Sequence, residues 1–188
     1  MLKKYHLLKD RKDARDLFYT PRPFAALPAR VDLRPRCTAV EDQGQLGSCT
    51  GNAIVGAMEC LEANKIDLSR LFVYFNERAI EGTINDDAGA MIRDGIKSVA
   101  LQGVCTEKLW PYDITKFREK PTAPCYADAV RRKITLYERV KNVAGMKDCL
   151  AAESPVVFGI KIYSSFESES VSKTGVVPMP PIVVINFV

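Results

Sequence analysis

The stretch DQGQLGSCTGNA, Asp42 to Ala53, decides how the rest of the chain is read. It opens as a loop punctuated by Gly44 and Gly47 and passes at Ser48 and Cys49 into a segment of helical periodicity. Ile54, Ala57, Met58 and Leu61 follow the i, i+3, i+4, i+7 spacing, while Glu59 and Glu62 fall on another side. This predicts a buried amphipathic helix over 49–65 with Cys49 in its first turn. A thiol there faces unpaired backbone N–H groups and the positive end of the helix dipole, and both favour thiolate. Gln43 carries an amide that can turn toward the sulfur. With the Cys49 backbone N–H it would give two donors converging on one point, which is what an oxyanion requires. Gly44 and Gly47 let the loop approach a ligand closely. Spacing alone leaves Cys49 open between a nucleophile and a small buried core residue, and Gln43 between a donor and a solvated loop side chain. A phosphate cradle is unsupported, because no lysine stands where a P-loop needs one.

Upstream, residues 1–30 are rich in charge and proline, end in TPRPFAALPAR, and keep no sustained period. They are expected to form an extended leader or prosegment, with a compact domain over 31–188. Downstream, a second helix is expected from Ser69 as N-cap, with Leu71, Phe72, Phe75 and Ala79 inward. A third is expected over 89–102, with Ile92, Ile96, Val99 and Ala100 inward and Gly103 as its stop. Beyond Trp110, Pro111 and Tyr112 the character changes. ITLYERV (134–140) and VVFGIKIY (156–163) are β-branched and aromatic runs of strand length, separated by a short helix over 146–152. Helices first and strands later predict an α+β fold in two lobes, a helical one over 31–112 and a barrel-like one over 113–188.

The composition fits an ordinary globular chain: 188 residues, 47% hydrophobic and 27% charged, so disordered and fibrous classes are excluded. A net charge of +4, interspersed along the chain, argues against nucleic-acid binding. Six cysteines without a CxxC pair and a single histidine, His6, give no zinc site and no redox scaffold built on vicinal thiols. Charges break every apolar run at the N-terminus, so no signal peptide is expected. GVVPMPPIVVINFV (175–188) is too short and too interrupted by proline to span a membrane. The compartment stays open.

The 42–53 segment resembles the active-site segment of papain-like (family C1) cysteine peptidases. KDARDLFYTP and LPARVDLRP resemble the leader and mature start of the bacterial, xylellain-like branch. LSRLFVYFNERAIEG, DDAGAMIRDGIKSVALQGVCTEKLWPYD and SPVVFGIKIYSSFES resemble its helices, cleft loop and first barrel strands. The resemblance covers the chain to about Pro180. It implies a papain-like fold and hydrolysis of peptide or protein substrates without metal or cofactor. It also implies Cys49 as nucleophile, Gln43 as the oxyanion-hole side chain, and substrate contacts from Gly47, Ser48 and Gly89.

Leu46 stands where many members have a disulfide cysteine, and Thr50 where an aromatic residue follows the nucleophile. The larger departure is the base. In the family a His and an Asn lie about 130–150 residues after the Cys, and residues 179–188 read MPPIVVINFV without a histidine. His6, in the leader, is expected to be a solvated side chain near a chain end. The expectation is therefore a complete helical lobe, a barrel lobe that is partial or truncated, impaired catalysis and self-association through the open lobe. A non-catalytic papain-fold module that binds peptides or a partner is the competing class.

Overall fold

The structure is a computed structural model that describes residues 6–22, 26–62 and 65–179. The chain divides into two compact units, 1–157 and 158–188.

The first unit is built on three helices: α1 (Cys49–Leu61), α2 (Arg70–Glu81) and α3 (Ile92–Gln102). Helix α2 starts where its sequence says it should. Ser69 Oγ accepts the Phe72 N–H at 3.1 Å, and Gly82 closes the helix in the left-handed region at φ +74°. Every residue from Arg70 to Arg78 is buried, so α2 is the central helix, with α1 and α3 against it. Ala79, expected inward, is exposed. Helix α3 begins three residues later than predicted, because Ala90–Met91 form a short strand. Its buried positions are Asp94, Gly95, Ser98 and Val99, with Ile92, Ile96 and Ala100 only partly covered. Gly95 explains the shift of face. A Cβ there would overlap Ile54 Cδ1 and Glu77 Oε2, so only glycine lets α3 approach this closely.

The core joins Ile54, Val55 and Met58 of α1, Leu71, Phe72 and Tyr74 of α2, and Val99 of α3. Two later helices, α4 (Ala123–Ala129) and α5 (Val143–Ala151), complete the unit. Cys125 and Ala129 of α4 enter the same core, which is why the compact unit runs past residue 112 instead of dividing there. Glu59 is a second departure from periodicity. It is only 3% exposed, and its carboxylate accepts from Thr38 Oγ1 and from the Leu68 N–H at 2.8 Å.

The expected strands at 134–140 and 156–163 are not formed. A strand needs a neighbour, and 134–140 finds one only at Arg139, which bridges to Phe18. Leu136 stays mostly exposed, as do Phe158 and Ile160. Among the described residues the strands are β1 (Leu7–Leu8) and β2 (Ala90–Met91), paired in parallel with Leu7 opposite Ala90 and Leu8 opposite Met91. In the second unit, Ser168 caps the short helix α6 (Glu169–Thr174), which ends at left-handed Gly175.

Residues 6–22 run extended, and their acidic side chains are held along the way. Asp10 accepts from Arg139 at 2.7 Å and Asp16 from Arg93 at 2.5 Å and Arg139 at 2.9 Å. Tyr19 donates to Asp148 Oδ2 at 2.5 Å. No described helix is long and apolar enough to cross a membrane.

Candidate active site

Cys49 is the first residue of α1, half-buried, and the loop before it is held from several sides. Tyr112 OH donates to the Gln43 carbonyl at 3.0 Å and pairs with the Ser48 hydroxyl. Asn52 Nδ2 donates to the Ser48 carbonyl at 2.9 Å. Gly44, at φ +61°, makes the turn that a side chain would strain. Leu46, 4% exposed, plugs the loop into the core.

Gln43 Nε2 donates to the Leu46 carbonyl at 2.9 Å. An amide nitrogen carries two hydrogens, and this bond uses one of them and fixes the plane of the group. Ser48 is fully buried, its side chain spent on Tyr112 and Asn52, so its hydroxyl holds the loop rather than facing a ligand.

Gly47 and Gly89 come together across the cleft through Asp87, a residue the sequence reading passed over. Asp87 Oδ1 accepts the Gly47 N–H at 2.9 Å and the Tyr74 hydroxyl at 2.6 Å, and Tyr74 OH in turn accepts the Gly89 N–H at 3.3 Å. The loop carrying Asp87 is fixed by Arg78, which is fully buried. Arg78 donates to the carbonyls of Tyr74 at 3.1 Å, Ile84 at 2.8 Å, Asp86 at 3.1 Å, and Phe117. The adjacency of Asp87 to the AGAM stretch was the one local signal for it. Tyr74 and Arg78 gave none beyond their place on a buried helix.

His6 is not a solvated terminal side chain. Its Nδ1 lies 2.9 Å from the Asp87 carbonyl, so this nitrogen carries the proton and donates. A Cβ on Gly47 would press on the His6 ring, and one on Gly89, at φ +72°, would overlap the His6 carbonyl oxygen. The His6 backbone N–H is close enough to the Cys49 thiol to favour its thiolate. His6 thus lies against the gathered residues Gly47 and Gly89, beside Cys49.

The Cys49 thiol is pushed up from its ordinary value, first by burial and then by the nearby Glu77 carboxylate. The backbone N–H groups of His6, Thr50 and Cys49 pull the other way and are outweighed. The pull of the helix terminus toward thiolate is thus present but outweighed, since desolvation penalises the charged form more than the N–H groups favour it.

Residues 27–178 match the family model of the papain family cysteine proteases. The chain belongs to the papain family. Within it, the chain is 41% identical over 165 residues to an uncharacterised peptidase C1-like protein of Acanthamoeba polyphaga mimivirus, covering 80% of this chain and 53% of that one. It is 43% identical to xylellain, a cysteine protease from Xylella fastidiosa, with a TM-score of 0.72 over 81% of this chain and 66% of that one. Procathepsin L 3 of the Tenebrio molitor larval midgut shares the fold at 20% identity, with a TM-score of 0.56 over 74% of this chain and 47% of that one. The α+β papain-like fold is therefore the fold of this chain, which spans about half the length of its curated viral relative.

Proposed function

We propose that the protein is a cysteine-type peptidase that hydrolyses peptide bonds in peptide or protein substrates, with Cys49 Sγ as the attacking atom. The observation that carries the reading is what occupies the cleft. An extended peptide backbone, Leu7–Leu8, lies as a strand on Ala90–Met91, and the residue before it, His6, packs its backbone on Gly89 beside Cys49. Gly89 is the only kind of residue that tolerates that backbone so close. The Cys49 sulfur would add to the substrate carbonyl, and the oxyanion would be met by the Cys49 N–H and the Gln43 amide, with Gly47 and Gly89 lining the approach. Ser48 contributes through its backbone. Residues 6–8 act in this reading as the part of a leader that fills the site.

Acyl transfer also needs a base for the thiol proton, all the more because burial holds Cys49 as a thiol. The imidazole in this sequence is His6, engaged with the Asp87 carbonyl and carried on the leader. Turnover by the 188-residue chain is therefore expected about 10²- to 10⁴-fold below that of a peptidase with a positioned base.

The test is saturable labelling by a peptidyl electrophile together with a peptide hydrolysis assay. Labelling is expected at Cys49 and absent in Cys49→Ala. His6→Ala is expected to speed the labelling by loosening the leader. A fall in hydrolysis in that variant would instead make His6 the base. Reversible peptide binding unaffected by Cys49→Ala, with neither labelling nor hydrolysis, would replace the peptidase with the non-catalytic binding module.

A further inference from the structure

Two cysteines outside the cleft stand closer than unbonded atoms prefer. Cys37 Sγ lies 2.8 Å from Cys60 Sγ, well inside the roughly 3.5–4.0 Å optimum for non-bonded heavy atoms. Both thiols also lie on one acceptor, the Leu33 carbonyl, at 3.4 and 3.7 Å. The approach is built from both sides. Cys37 closes the 3-10 turn Arg34–Arg36 with its N–H on the Arg34 carbonyl, and Cys60 sits in the last turn of α1. The adjacent pair is joined as well, Thr38 Oγ1 donating to Glu59 Oε2. Cys37 is partly exposed and Cys60 is 3% exposed, so one sulfur can meet a reagent from solution and the other waits behind it.

We propose that Cys37 and Cys60 form a disulfide that staples the two ends of the segment containing Gln43, Gly47, Ser48 and Cys49. With a small-molecule disulfide such as oxidised glutathione as oxidant, the Cys37 thiolate attacks one sulfur of the reagent and expels the other as a thiolate. The Cys60 thiolate then attacks Cys37 Sγ and expels the second. Two protein thiols lose two protons and two electrons, and one molecule of oxidant becomes two thiols. Burial, with Cys37 beside it, holds the Cys60 thiol up at about 11, so the second step is the slower one and quickens with pH. Cys105 and Cys125 are both sealed in the core, where no reagent reaches them. The staple leaves the Cys49 sulfur untouched and does not depend on its catalytic role.

The test takes the 188-residue chain through a series of glutathione redox buffers, traps the remaining thiols with iodoacetamide, and maps peptides by mass. The expected product has lost two hydrogens and carries one cross-link, between Cys37 and Cys60. Oxidation is expected to raise the unfolding midpoint by roughly 5–10 °C, by constraining the unfolded chain. That rise should vanish in Cys37→Ser, and Cys60→Ser should stall as a glutathione adduct on Cys37. Cys37 and Cys60 still alkylated in oxidising buffer would overturn the proposal. So would a wild-type chain that stalls at the Cys37 adduct, or a cross-link from either residue to Cys49.

Discussion

Glu77 offers a test of how the buried centre of this fold is balanced. Its carboxyl is completely buried beneath the active-site helix. Thr50 Oγ1 donates to Oε1 at 2.5 Å, and Oε2 has no hydrogen-bond partner among the described residues. Burial pushes the group up from 4.5 to about 8, against the lowering contributed by the Thr50 hydroxyl. From about pH 4.5 the unfolded chain has released this proton, while the folded protein keeps it to about pH 8. The folded state therefore binds the extra proton across the window, and stability falls as pH rises, by at most about 1.4 kcal/mol per pH unit. Summed over the window this reaches about 4 kcal/mol, a large share of the 5–15 kcal/mol that holds a typical domain. Glu77→Gln keeps the shape and an acceptor for Thr50 but has no proton to lose. Trp110, the sole tryptophan and 8% exposed, reports unfolding. Urea titrations of both proteins at pH 5, 6, 7 and 8 should show the variant gaining on the wild type by about 1 kcal/mol at each step. A difference that stays constant across that range would refute the reasoning.

Asp16→Ala removes the acceptor shared by Arg93 and Arg139 and should loosen the leader, so that iodoacetamide labels Cys49 about tenfold faster, a change of about 1.4 kcal/mol in the opening equilibrium. Peptide mapping of the alkylated chain measures it, and an unchanged rate would separate the leader anchor from access to the thiol. Arg78→Ala strands four backbone carbonyls and opens a void beside Tyr74, and thermal or urea unfolding should show a loss of about 3–5 kcal/mol. Gly89→Ala puts a methyl group onto the His6 carbonyl at a left-handed position, so hydrogen exchange should show residues 6–8 losing protection while α2 keeps its own. The exposed apolar side chains Leu136, Val143, Phe158 and Ile160 lead us to expect concentration-dependent association of the 188-residue chain, which sedimentation velocity would detect.

What could be read from the sequence was what local chemistry fixes. Ser69 as a cap, Gly103 as a stop and Cys49 at a helix start depend on a few neighbouring residues, and each stands where expected. Glu59 and Ala79 were assigned to the wrong side because periodicity describes a helix alone, whereas burial depends on what packs against it. The runs at 134–140 and 156–163 have strand composition, but propensity does not supply a partner strand. Gly47, Cys49 and Gly89, which resemblance named, lie close together in the structure. Asp87 and His6 it did not place there, since their roles arise from contacts between positions some eighty residues apart. The sign of the Cys49 shift was equally hidden, because desolvation is a property of the packed protein.

The short parallel pairing of Leu7–Leu8 with Ala90–Met91 also sets the terms on which any outside peptide competes. This segment is tethered a few residues away through Asp10 and Asp16, so it meets Ala90–Met91 as an intramolecular ligand. Its effective concentration is then in the millimolar range typical of short tethers. A free peptide with the same intrinsic contacts, present at about 1 μM, would hold the site roughly one time in a thousand. Selectivity in this cleft would then be decided first by which chains outbid the protein's own sequence, and only afterwards by which bonds the thiol can reach.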